Sequence, residues 1–154
     1  MPAWVKLTED DLLSSMTQRE RDDFAKVASG ASVPDRVIPI LSDLTAEIRG
    51  YIATWSPNTI SADETLIPPS FKAKALAIAR WRVLITIPRF DPGDARKLEY
   101  EKADGFFLSV AKGQIRPEPA DDFVVTKVPT QNPSGVEVVS GPGSRTGRQR
   151  MDGI

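Results

Sequence analysis

Hydrophobic positions in this chain keep a helical rhythm up to about residue 113 and then lose it. The clearest stretch is "SVPDRVIPILSDLTAEIRGYIATW" (32–55). Val37, Leu41, Leu44, Ile48, Tyr51, Ile52 and Trp55 recur there at steps of three and four, while Asp35, Arg36, Asp43, Glu47 and Arg49 fall mostly elsewhere. Pro39 either opens this helix as its first residue or kinks it. Gly50 weakens it by about 1 kcal/mol relative to Ala, and either permits a close helix crossing or is simply tolerated.

Two shorter helices are expected before it. In "LTEDDLLSSMT" (7–17), Thr8 suits the N-cap, and Glu9, Asp10 and Asp11 fill the first turn, where the helix dipole favours anions. Thr17 with Glu20 then makes a capping-box pattern for "QRERDDFAKVA", which Gly30 ends. A Pro-, Ser- and Asn-rich loop (56–69) leads to "PSFKAKALAIARWRVLITI" (69–87), with Pro69 in its first turn and Pro88 stopping it. Apolar residues surround most of this helix, so it is expected to be the central one; Lys72, Lys74, Arg80 and Arg82 give it a partial basic face. "RFDPGD" turns the chain into a third long helix, 92–113, with Leu98, Phe106, Phe107, Val110 and Ala111 as its apolar stripe and Lys112–Gly113 as its stop. The expected fold class is therefore mainly α: a small helical bundle of three long helices plus short N-terminal ones.

From Phe123 the pattern turns β-like. "FVVTKV" (123–128) and "VEVVS" (136–140) can form a hairpin arm, which is marginal alone and needs a surface to lie on. The expected organisation is thus a helical domain, 1–116, and an extended C-terminal arm, 117–154. The last 22 residues, from Pro133, hold five glycines, two prolines and only five apolar side chains. Ordering them costs on the order of 20–40 kcal/mol. Burying Val136, Val138, Val139, Met151 and Ile154 recovers at most roughly half of that. Composition alone points to disorder; an ordered tail needs a partner offering hydrogen bonds, carboxylates and pockets, to which Arg145, Arg148 and Arg150 are suited.

Composition narrows the chemistry. The 154 residues contain neither Cys nor His, which leaves no thiol nucleophile, no Ser-His-Asp arrangement and no ordinary zinc or copper site. A formal net charge of −1 argues against broad non-specific nucleic-acid binding. No run approaches the roughly 18 apolar residues of a membrane span, and no signal peptide is seen. The acidic pairs Asp10/Asp11, Asp22/Asp23 and Asp121/Asp122 read as solvated faces and helix starts, and no cofactor is expected. Trp55 and Trp81 are expected in the core, and Trp4 as an inter-subunit anchor.

Taken in order, "LTEDDLLSSMTQRERDDF", "SDLTAEIRGYIA", "LIPPSFKAKALAIARWRVL" and "LEYEKADGFFLSVAKGQI" resemble the Mu-like head–tail adaptor family of tailed phages and prophages, also called head-completion or connector proteins. The resemblance covers residues 7–116. It implies a helical, non-catalytic virion protein that assembles in the host cytoplasm as a ring, commonly of twelve copies, in the neck beneath the portal. Such a ring extends the channel for duplex DNA and docks the next neck or tail protein. In similar adaptors a C-terminal arm reaches onto the portal. Arg145, Arg148, Arg150, Met151 and Ile154 are accordingly the expected portal contacts, an assignment drawn from the tail itself. Trp4, Phe123, Val125, Val136 and Val138 are the expected inter-subunit contacts, the strands adding to a neighbour's sheet edge. The alternatives are a DNA-binding packaging factor using the basic face or the arginine tail, and a head-closure protein, which is expected to be β-rich.

Overall fold

The computed structural model describes residues 3–27 and 33–124, and of residues 33–35 and 123–124 the backbone only. The elements run β1 (Val5–Lys6), α1 (Glu9–Ser15), α2 (Gln18–Val27), α3 (Val33–Thr54), β2 (Ile60–Ser61), β3 (Leu66–Ile67), a 3₁₀ turn (Pro69–Phe71), α4 (Lys72–Leu84), α5 (Gly93–Ala111) and β4 (Phe123–Val124). The fold is the mainly helical bundle that the periodicity predicts.

Local signals start the first two helices. The Thr8 hydroxyl accepts from the Asp11 amide at 3.2 Å while the Asp11 carboxylate accepts from the Thr8 amide at 3.2 Å, a reciprocal capping box. Thr17 and Glu20 repeat the motif at α2: the Thr17 amide donates to Glu20 Oε2 at 2.7 Å and the Glu20 amide to the Thr17 hydroxyl at 3.3 Å. Gly30 lies outside the described residues. α3 does not open at Pro39; it begins at Val33, with Pro34 in its first turn, and carries Pro39 inside it. Pro34 has no hydrogen bond to lose there, and Pro39 forfeits a single one on the exposed side of the helix.

α4 packs against α1, α2, α3 and α5, so it is the central helix. It buries Ala75, Ile78, Ala79, Val83 and Leu84, and ends at Leu84, three residues earlier than predicted; Ile85–Ile87 turn back onto its last carbonyls. α3 supplies Val37, Leu41, Leu44, Ile48 and Ile52 to the same core, and α5 supplies Ala103, Phe107 and Val110. Phe71, Phe106 and Phe107 meet edge-to-face at centroid distances of 5.2–5.7 Å, welding the start of α4 to the end of α5. Leu98 is not part of the α5 stripe and is 50% exposed. Nine residues separate it from Phe107, and at about 100° per residue that places it on the opposite side of the helix.

Gly113 closes α5 with φ +73°. Its amide donates to Val110 at 2.9 Å and the Gln114 amide to Ser109 at 3.0 Å, the paired bonds of a Schellman cap. The Trp55 ring lies directly on this glycine. Trp55 is therefore not a core residue: it follows the last residue of α3, stays 37% exposed and covers a helix cap. Trp81 is half-buried and stacks on Tyr100 at 5.5 Å. Among the described residues, nothing from another element comes within 4 Å of where a Cβ on Gly50 would stand, so this glycine serves no close crossing there.

Two short antiparallel ladders finish the body. β1 pairs with β3 (Val5 opposite Ile67), and β4 pairs with β2 (Ser61 opposite Phe123). The start of the expected arm is thus not free: residues 117–124 lie on the helical body, and Phe123 pairs its backbone within its own chain.

Candidate functional site

Charged side chains reveal how the body is wired. Lys72 on α4 meets Asp11 on α1 at 2.7 Å, Arg82 pairs with Glu47 on α3, and Arg80 pairs with Glu99 on α5 while donating to the Ser15 carbonyl at 2.6 Å. Three of the four residues of the predicted basic face are therefore each tied to a different helix; Lys74 makes no ion pair among the described residues. The Lys72 ammonium, aided by Thr8, holds the Asp11 carboxyl below its ordinary value despite some burial.

A second network joins α2 to α5. Arg96 grips the Glu20 carboxylate in two-pronged fashion, Nε to Oε1 at 2.8 Å and Nη2 to Oε2 at 3.1 Å, and reaches Glu99 at 3.0 Å with Nη1. Glu20 is buried, yet the same carboxylate also caps α2 through the Thr17 amide. Burial pushes its carboxyl up, but Arg96 and Thr17 outweigh that and hold it low; Glu99 is held low against burial in the same way by Arg96 and Arg80.

Arg49 gathers the 60–67 loop. Its guanidinium donates to the carbonyls of Ser61 (2.8 Å), Asp63 (2.9 Å) and Leu66 (3.0 Å), and lies over the Trp4 ring at 5.9 Å. Burial draws the Arg49 pKa down, against the opposing pull of Glu64, Asp63 and Asp122. Beside it runs an open groove of about 790 Å³ whose walls include Lys6, Leu7, Ile38, Leu41, Arg49 and Glu64. Its charges are mixed, Lys6 and Arg49 standing with Glu9 and Glu64. Among the described residues, no group of three or more Asp or Glu side chains could hold a metal ion.

Trp4, the expected inter-subunit anchor, is only 6% exposed within the chain, and its indole nitrogen donates to the Glu118 carbonyl at 3.1 Å. Its place just before β1 brings it beneath segment 117–124. Glu118 also takes the Ser70 hydroxyl at 2.5 Å, Ala120 is buried, and Asp122 accepts from Ser61 Oγ at 3.0 Å and from the Ala62 amide at 3.2 Å. Arg145, Arg148, Arg150, Met151 and Ile154, with Val125, Val136 and Val138, lie outside the described residues. Sequence reasoning missed Arg49, Arg96 and Glu118. Each works through partners distant in the chain, and the Thr17–Glu20 spacing alone hinted at one of them. No family model matches this chain, and neither a curated protein nor a solved structure is found similar to it.

Proposed function

We propose that this chain is a structural subunit of a phage neck: a head–tail adaptor that assembles as a ring, of twelve copies, beneath the portal. In this reading the ring extends the DNA channel without gripping the duplex and docks the next neck or tail protein. The C-terminal arm clamps the portal through Arg145, Arg148, Arg150, Met151 and Ile154. The observation that carries the reading is that the four motif-bearing segments fold as the helices of one packed body, as an adaptor subunit requires. Ile38, Trp55, Ile85, Leu98 and Leu108 stand exposed on that body and are available for subunit contacts. The pairing of Lys72, Arg80 and Arg82 with carboxylates of this same chain leaves them poor phosphate ligands, which weighs against a packaging factor that uses the basic face. A β-rich head-closure protein is disfavoured by a described body that is mainly helical, with strands of two residues each among the described residues.

The test is co-purification of the cognate portal with the full chain and with a truncation after Lys127, which keeps residues 117–124 in place. Hydrogen exchange on the tail, free and bound, accompanies it. Portal binding that needs residues 128–154, with protection there only in the complex, is the expected result. Equal binding by the truncated chain, or a tail protected in the isolated protein, refutes the clamp. Absence of any portal complex or ring by electron microscopy refutes the adaptor.

A further inference from the structure

Segment 117–124 is fastened by polar contacts: the Trp4 indole and Ser70 hydroxyl to Glu118, Ser61 and the Ala62 amide to Asp122, and the two-residue ladder of β4 with β2. Among residues 117–122, Ala120 alone is fully buried. Every one of these contacts also reaches far back along the chain. The side-chain bonds span separations of 114, 48 and 61 residues. None is made to α5, the helix from which the segment emerges. The receptor, made of Trp4, Ile60–Ala62 and Ser70, is thus complete without the preceding helix. It would accept the same segment from a second copy of the chain with every bond unchanged.

The connection permits that. Gly113, at φ +73°, ends α5, and Gln114–Arg116 lead into the segment with Ile115 half-buried. Rotation about these few residues redirects the segment without unwinding α5. We propose that residues 117–124 are an exchangeable strap, and that in the assembled protein the strap of one copy docks on Trp4, Ile60–Ala62 and Ser70 of the next. The inference rests on the ring reading above and names the contact that closes it. A head-to-tail exchange of one strap per subunit, repeated by rotation, generates a ring. Exchange trades identical contacts, so it adds little strain and leaves the helical body unaltered.

The chain has no cysteine, so introduced thiols report alone. The Ser70 hydroxyl donates to the end of the Glu118 side chain at 2.5 Å, which puts thiols at Ser70→Cys and Glu118→Cys within the span of a short bis-maleimide and makes them the reporting pair. Two single variants, one carrying a mass tag, are mixed reduced at assembling concentration and with portal, treated with the bis-maleimide, and run on a denaturing gel. Each chain has one thiol, so a cross-link between the tagged and untagged chains forms only across copies. Lys97→Cys, on an exposed part of α5, replaces Ser70→Cys as the collisional control. The expected result is mixed covalent dimer several-fold above that control in the assembled fraction. The double variant should give a ladder of linked chains there and internally linked single chains in the monomer fraction. An assembled fraction containing only internally linked chains overturns the exchange while leaving the ring intact. Failure to assemble under any of these conditions overturns both.

Discussion

Gly113→Ala isolates a helix cap and a tryptophan that lean on each other. Two costs arise. At φ +73° an L-residue sits in the left-handed region, which costs roughly 1–2 kcal/mol. The new Cβ would also stand 2.4 Å from Trp55 Cδ2, 2.6 Å from Cε2 and 2.7 Å from Cε3. Ordinary contact begins near 3.4 Å, so the ring must retreat by about 1 Å or swing away. Trp55 is 37% exposed and has solvent to swing into, so the relief is loss of its packing rather than compression of the core. Giving up about 40 Å² of apolar contact at ~25 cal/mol per Å² adds about 1 kcal/mol. The expected destabilisation is about 2–3 kcal/mol, read by urea unfolding followed with far-UV circular dichroism. The double variant with Trp55→Ala separates the two costs. The backbone cost survives and the steric one vanishes, so the double variant should lose about 1 kcal/mol less than the sum of the singles. Additive losses would show that the ring does not press on the cap. A Gly113→Ala loss below about 0.5 kcal/mol would refute the left-handed cap itself.

Gly50→Ala and Gly105→Ala, both helical, exposed and with nothing within 4 Å of the added Cβ, should each stabilise by about 0.5–1 kcal/mol in the same assay; a loss at either would mean an unseen contact. Arg96→Leu leaves the buried Glu20 carboxylate without its cation and should cost about 3 kcal/mol, whereas adding Glu20→Gln should recover part of that loss in a double-mutant cycle. Arg49→Met removes three bonds to loop carbonyls and should cost about 2 kcal/mol, with hydrogen exchange rising first across residues 60–67; a uniform rise would argue against a local role. Asp11, Glu20 and Glu99 all have carboxyls held below their ordinary values of 3.8 for Asp and 4.5 for Glu. Their contribution is therefore complete above those values and is lost as pH falls through the lower folded ones, so acid unfolding should begin below about pH 4.5. Glu20→Gln should flatten that acid limb, and an unchanged limb would remove Glu20 from it.

Helices were legible here because their signals are local. The two capping boxes depend on residues three apart, and the stripes of α3 and α4 on steps of three and four. Phase was harder than period: Leu98 shares α5 with Phe107 yet points the opposite way, which a count of apolar residues does not register. Ends were harder still. α4 stops before Pro88 because Ile85–Ile87 turn to meet its final carbonyls, and Trp55 leaves the core because α3 finishes one residue before it. The charged residues were the least readable. Lys72, Arg80 and Arg82 look like a basic face in sequence, and only the packing of three other helices against α4 turns them into internal ties. Trp4 and Glu118 carry no local hint of each other. The tail residues assigned to portal contact lie outside the described residues, and their role rests on the sequence.

The Trp4–Glu118 bond also sets an order of events. Closing a loop costs more as the loop lengthens, by (3/2)RT times the logarithm of the length ratio. The bond spans 114 residues and the Arg80–Glu99 pair spans 19, a ratio of six that makes the longer closure dearer by about 1.6 kcal/mol. Local contacts between α4 and α5 therefore form early, and the two ends of the body meet last. On the ribosome the contrast is absolute, since the fourth residue waits until the hundred and eighteenth has been made. Until then its indole has no acceptor at Glu118. The bond that fastens residue 4 can therefore close only after the long helices between the two residues have been synthesised.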